Sequence, residues 1–212
     1  GSRKHTMFTS NIWIGGMNEN TLHLAGERHK SRGSDYFIGP VSDISDSAYF
    51  RKWSRVWKIS SDEISYHIAH YNDPDYEPTM VIKTWPGNGD VSLGQLQKIA
   101  PFCDYNENGV YEPLQGDYPL IRGDQAIFYV YNDDRIHAET RGDSMRIEIR
   151  AMAYAFDLPE DSALNNSVFL HLDIVNCADL DYDNTYLGIY ADMDLGYYWD
   201  DYSGSDVENG YF

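Results

Sequence analysis

The sequence predicts a mostly β fold: an antiparallel β-sandwich-like domain with a short helix and a long irregular insertion. Residues 125–131, 144–156, 167–176 and 184–192 each carry a strand-like run, and Asp/Asn/Gly turns join them at sandwich spacing. Aromatic residues make up 15% of the chain, 18 of them Tyr, a composition that suits strands and also sugar-binding faces. At 212 residues and 42% hydrophobic the chain can bury a full core. It therefore reads as one domain over 1–212, with the insertion at 60–123.

Near the N-terminus, Asn11-Ile12-Trp13-Ile14 alternates apolar and polar residues into a Gly-Gly pair, and Thr21-Leu22-His23-Leu24-Ala25 continues the pattern. This predicts a β-hairpin. Residues 31–60 are turn-rich and close on a strand at their end. Ser60-Ser-Asp-Glu63 is a capping box, and Ile64, Ile68 and Tyr71 behind it define one apolar face of a short surface helix. Asn72-Asp-Pro74 stops that helix. From there through Trp85-Pro-Gly-Asn-Gly-Asp90 to Arg122 run about 50 residues with little regular structure, which a compact domain tolerates only when something else organises them.

Acidic residues number 34 against 16 basic ones, a net charge of −18 that repels nucleic acid and anionic membranes and makes cations the natural partners. No stretch approaches the roughly 20 apolar residues that cross a bilayer, so this segment is not expected to insert. No charged-then-apolar signal segment opens the chain, and its close in an aromatic, acidic run reads as a piece of something longer. Cys103 and Cys177 lack zinc spacing and either pair or stay free. No GxSxG, HExxH, P-loop or GxGxxG occurs, so hydrolase and nucleotide chemistry lack a visible nucleophile or phosphate cradle.

Asp104-Tyr-Asn106-Glu-Asn108-Gly109-Val110-Tyr-Glu112-Pro-Leu-Gln-Gly-Asp117 has the order of a Ca²⁺ loop. Ca²⁺ takes six to eight oxygens, and alternate side chains supply them where a glycine permits the turn. Asp104, Asn106 and Asn108 stand at positions 1, 3 and 5, Gly109 at 6, the Val110 carbonyl at 7 and Glu112 at 9. Position 12 holds Gln115 in place of the bidentate acid, so Glu112 or Asp117 has to complete the shell. Pro101 before the loop and Pro113 within it argue against the paired helices of an EF-hand.

A second acidic cluster contains Asp192, Asp194, Asp200 and Asp201. It reads as a second Ca²⁺ site or as a solvated loop, and a third reading is a glycosidase acid/nucleophile pair across a cleft. Trp85, Tyr198 and Trp199, if exposed, would stack on sugar rings. His67 and His70 read as surface histidines. Arg122-Gly-Asp124 and Arg141-Gly-Asp143 spell the integrin tripeptide but read as turns. Asp46-Ser-Ala, Asp143-Ser-Met and Asp161-Ser-Ala match the short pattern on which Bacteroidetes glycosylate exported proteins.

The segment 6–16, Trp85-Pro-Gly-Asn-Gly89, the acidic loop, Gly116-Asp-Tyr-Pro119, Gly123-Asp-Gln125 and Asp194-Leu-Gly-Tyr-Tyr198 occur in an order that spans nearly the whole chain. Together they resemble the large N-terminal region of Bacteroidetes cell-surface proteins exported by the type IX secretion system. The resemblance implies an exported protein, released or attached at the outer membrane, with a sorting domain beyond residue 212 and secretion or attachment proteins as partners. It implies no particular reaction. The expected function is a secreted, calcium-stabilised surface domain acting in adhesion or glycan binding. The competing classes are a polysaccharide-active enzyme built on the 192–206 carboxylates and a scaffold module held by the export machinery.

Overall fold

The computed structural model describes residues 6–29, 33–197, 199–202 and 204–210. In chain order the elements are β1 (Met7–Asn18), β2 (Thr21–Ala25), β3 (Phe37–Ile38), α1 (Ser47–Trp53), β4 (Trp57–Ser60), α2 (Ser61–His70) and α3 (Met80–Lys83). There follow β5 (Phe102–Cys103), β6 (Tyr118–Pro119), β7 (Gln125–Asn132), β8 (Ile147–Ala155), α4 (Ser162–Asn165), β9 (Phe169–Asn176) and β10 (Asp183–Met193). Strand outweighs helix and the strand pairs within the sheets are antiparallel, so the chain is mostly β as predicted. Its contacts divide it into two compact units, one of residues 1–36, 135–145 and 180–212, the other of 37–134 and 146–179.

The first unit is a three-stranded sheet in the order β10-β1-β2. The predicted hairpin is there, with Asn18 paired to Thr21 and Glu19 turning the chain at φ +52°. Ile12, Ile14 and Ala25 are buried, and beside them lies a wholly buried carboxylate, Asp35. Its oxygens accept main-chain N–H groups from Gly26, Glu139 and Thr140, tying segment 135–145 to the hairpin.

The second unit is a five-stranded sheet in which β3 and β4 pair with β7, followed by β8 and β9. Strand β8 lies between two neighbours and buries both faces along Ile147–Met152, which accounts for its dense apolar run. One face of the sheet carries Ala126, Phe128, Val130 and Met152. Against it pack Tyr49 and Trp53 from α1, Ile64 from α2, Ile82 from α3, and Trp85, Ile99 and Ala100 from the irregular stretch. The region read from sequence as an insertion is thus the second layer of this core. Phe128 lies between two indoles, with ring centroids 6.4 Å from Trp57 and 5.4 Å from Trp85.

Helix α1 was not foreseen. Asp46 caps it by accepting the N–H groups of Ala48 and Tyr49, and Asp161 caps α4 in the same way, so two of the three Asp-Ser-apolar triplets have a helix-capping role. The capping box on α2 is formed in both directions between Ser60 and Glu63. Its buried face differs from the predicted one: Ile68 is 43% exposed, and His67, fully buried, sits inward beside Ile64. Cys103 and Cys177 are both free. Burial, followed by the nearby Glu148 carboxylate, pushes the Cys177 thiol up to about 11, so it stays protonated and unreactive. Among the described residues no helix is long and apolar enough to cross a membrane.

The aromatic sandwich gives a direct expectation. Phe128→Ala removes a ring that is 2% exposed and should cost about 3–5 kcal/mol in urea denaturation, whereas Ile136→Ala, at a side chain 92% exposed, should stay within roughly 0.5 kcal/mol.

Candidate metal centre

Strands β5 and β6 form the stem of a hairpin, with Phe102 opposite Pro119 and Cys103 opposite Tyr118, and the acidic loop is its head. Inside the loop each short polar side chain folds back on the backbone. Asp104 accepts the N–H groups of Asn108 at 3.1 Å and Gly109 at 2.7 Å, and Asn106 Oδ1 shares the Asn108 N–H at 3.1 Å. Asn108 Oδ1 accepts from Val110 N–H at 2.7 Å. These bonds curl 104–110 into a tight coil in which the side-chain oxygens accept main-chain N–H groups of the same loop. Gly109 adopts φ +79°, which a side chain at position 6 would disfavour, and Glu107 sits at φ +59° at some cost in backbone strain.

A second set of contacts closes the loop. Asn106 Nδ2 donates to Gln115 Oε1 at 3.0 Å, Gln115 Nε2 to Glu112 Oε1 at 2.7 Å, and Asn108 Nδ2 to Glu112 Oε2 at 2.6 Å. Sequence reading set Gln115 aside as a departure at position 12. The structure returns it to the loop, its amide joined to two of the candidate ligands. Amide N–H groups neutralise Glu112 here as a cation otherwise would. Val110, 47% exposed, has no described N–H donating to its carbonyl.

Asp117 differs from the other candidate ligands. It is wholly buried, Oδ1 accepts Tyr105 N–H at 2.8 Å and Oδ2 accepts Glu112 N–H at 2.7 Å, so it clamps the two limbs of the loop together. Its carbonyl accepts from His67 Nε2 at 3.0 Å, which assigns the imidazole proton to that nitrogen and leaves Nδ1 to accept from the Tyr76 hydroxyl at 2.9 Å. His67 is therefore a buried strut between α2 and the loop, correcting the surface reading. Asn88 braces the other side, donating to the Gln97 and Gly109 carbonyls and accepting Tyr111 N–H at 2.7 Å.

The oxygen-only donor set suits a hard cation such as Ca²⁺. Two carboxylates, Asp104 and Glu112, two Asn side chains, the Val110 carbonyl and Gln115 stand along one coil. Among the described residues no three His, Cys, Asp or Glu side chains form a metal-holding group, so an ion here would depend on amide and carbonyl oxygens.

The 192–206 acids are not brought together in that sense either. Asp192 pairs with His29 at 2.6 Å, Asp194 N–H donates to the Thr6 carbonyl, Asp200 is exposed, and Asp201 is half-buried. Of the aromatic candidates, Trp199 is 73% exposed. Trp85 is only 3% exposed, its indole N–H donating to the Pro101 carbonyl at 3.0 Å, so it is a core residue and cannot stack on a ligand. Tyr198 lies outside the described residues. Comparisons with family models, curated proteins and solved structures find no match.

Burial holds the His67 imidazole below its ordinary value near 6.5, outweighing the Asp117 carbonyl that raises it. The unfolded chain then binds the proton more readily, so stability is complete above about pH 6.5 and falls as pH drops through the depressed folded value. Thermal denaturation between pH 7 and pH 5 should show this decline. His67→Gln, which keeps an N–H donor, should flatten the slope, and an unchanged slope would remove His67 as its source.

Proposed function

We propose that the 104–117 loop binds Ca²⁺ and that the ion pins the 72–124 layer of a secreted cell-surface domain acting in adhesion or glycan binding. The observation that carries this is the coil of 104–110, in which Asp104, Asn106 and Asn108 turn their oxygens inward around Gly109. Those three residues, Glu112 and the Val110 carbonyl are the proposed ligands, with Gln115 as a neutral oxygen at the twelfth position and Asp117 as the clamp behind them. The role is structural: an ion would draw Asp104 and Glu112 together and stiffen the hairpin head that 3-10 turns and β5-β6 alone support.

Export by type IX secretion and attachment at the outer membrane rest on the ordered motifs by which the sequence resembles that class of surface proteins. The glycan reading draws on exposed aromatic side chains, Trp199 and Tyr202 at 73% and 96% exposure. A scaffold role, with an attachment protein as partner, is favoured by one separate observation. Strand β10 is an edge strand with Tyr186, Leu187 and Ile189 exposed by 76%, 57% and 69%.

Differential scanning calorimetry tests the ion. Ca²⁺ at about 100 times its Kd adds roughly 2.7 kcal/mol, which for a chain of this length raises Tm by roughly 5–10 °C over EDTA. Asp104→Ala should abolish that rise. Equal melting in Ca²⁺ and EDTA, or a full rise in the variant, would sink the proposal.

A further inference from the structure

The covered face of the five-stranded sheet is apolar along β7 but changes character at β8 and β9. There, on the same face as Phe128 and Met152, the register places Arg150 opposite Asp173 and Met152 opposite His171. Of these side chains Arg150 is largely buried, whereas His171 and Asp173 stand much more open on the edge strand β9, so it is the burial of Arg150 that calls for an explanation. Part of it is internal: Glu148, wholly buried, accepts from Arg150 Nε at 2.7 Å and from Val41 N–H at 3.1 Å. That bond fixes Arg150 by one nitrogen of its guanidinium. No contact among the described residues engages the other two.

Over these side chains the covering layer stops short and leaves a cavity of about 320 Å³. Its floor is Phe128 and Met152, its polar wall Arg150, His171 and Asp173, and its rim includes Arg122. The rim is held by the feet of the acidic hairpin, where Leu120 N–H donates to the Pro101 carbonyl at 3.1 Å, and by Arg122 N–H on Met152 Sδ at 3.4 Å. In a chain with 34 acidic residues against 16 basic ones, Arg122 forms no ion pair among the described residues. Asp173 offers Oδ2, since Oδ1 meets His171 Nε2 at 3.1 Å.

We infer that this cavity is a binding site for a small carboxylate-bearing sugar, a monosaccharide acid. Arg122, without an ion pair among the described residues, and the two guanidinium nitrogens of Arg150 beyond the one given to Glu148 supply donors of the kind that planar carboxylates accept. Asp173 supplies an acceptor for a sugar hydroxyl. The volume lies at the small end of ligand sites, which suits one sugar ring. This sharpens the glycan part of the proposed function and does not require the ion.

Isothermal titration with D-glucuronate, methyl glucoside and succinate, each in CaCl₂ and in EDTA, tests the assignment. Glucuronate should bind, and bind more tightly than the neutral glucoside or succinate. Arg122→Ala, at an exposed residue, should weaken glucuronate tenfold or more and leave the glucoside unchanged; Asp173→Asn should weaken both sugars. Binding in either buffer upholds the pocket, and binding in EDTA upholds it even if the calcium reading fails. No glucuronate binding in either buffer, equal binding of succinate, or indifference to both substitutions overturns it.

Discussion

Wholly buried aspartates, bonded to main-chain N–H groups, hold chain segments together within each of the two units. Asp35 gathers three such groups in the first unit, and in the second Asp133 accepts from Ile147 N–H while Asp117 accepts from Tyr105 and Glu112. A chain with twice as many acids as bases cannot pair every buried carboxylate with a cation. The backbone supplies the donors instead, and each carboxylate thereby fixes the path of two separate chain segments. Asp117 has the widest reach, since its carbonyl also receives His67 and so joins the acidic loop to α2.

The same logic explains why the 72–124 layer holds its form with so little regular structure. Asn88 anchors three points of the backbone, Tyr111 reaches the Ile82 carbonyl, and Trp57 and Trp85 donate to the Thr84 and Pro101 carbonyls. Apolar rings face the sheet while their polar atoms stitch the loops above it. An ion in the hairpin head would act on a framework that already stands, drawing in its outermost turn.

Features governed by local chemistry were legible in the sequence. The Ser60–Glu63 box, the β1-β2 hairpin and the strand character of β7 to β10 follow from residues a few positions apart, whereas the pairing of β10 with β1 does not. Helix α1 escaped because its seven residues lie in an aromatic run that also reads as strand, and only the Asp46 cap distinguishes it. Trp85 was misjudged because Pro-Gly-Asn-Gly beside it signals surface, whereas its burial is decided by Phe128, far along the chain. The His67 signal was present, three residues from Ile64 on one helix face, but a histidine there is explained only by the carbonyl it meets. The cavity beside Arg150 depends on strand register and on where the covering layer ends, neither of which a single sequence displays.

Strand β10 bears on how the chain behaves in solution. Its free edge and exposed apolar side chains form a template onto which another extended chain can add, and the acids at its ends, Asp183, Asp192 and Asp194, stand where charge opposes such addition. Colloidal stability is therefore bound up with net charge: the mutual repulsion of a −18 chain keeps edges apart near neutrality. Acid or high salt, by neutralising or screening that repulsion, lowers the barrier to association along such an edge.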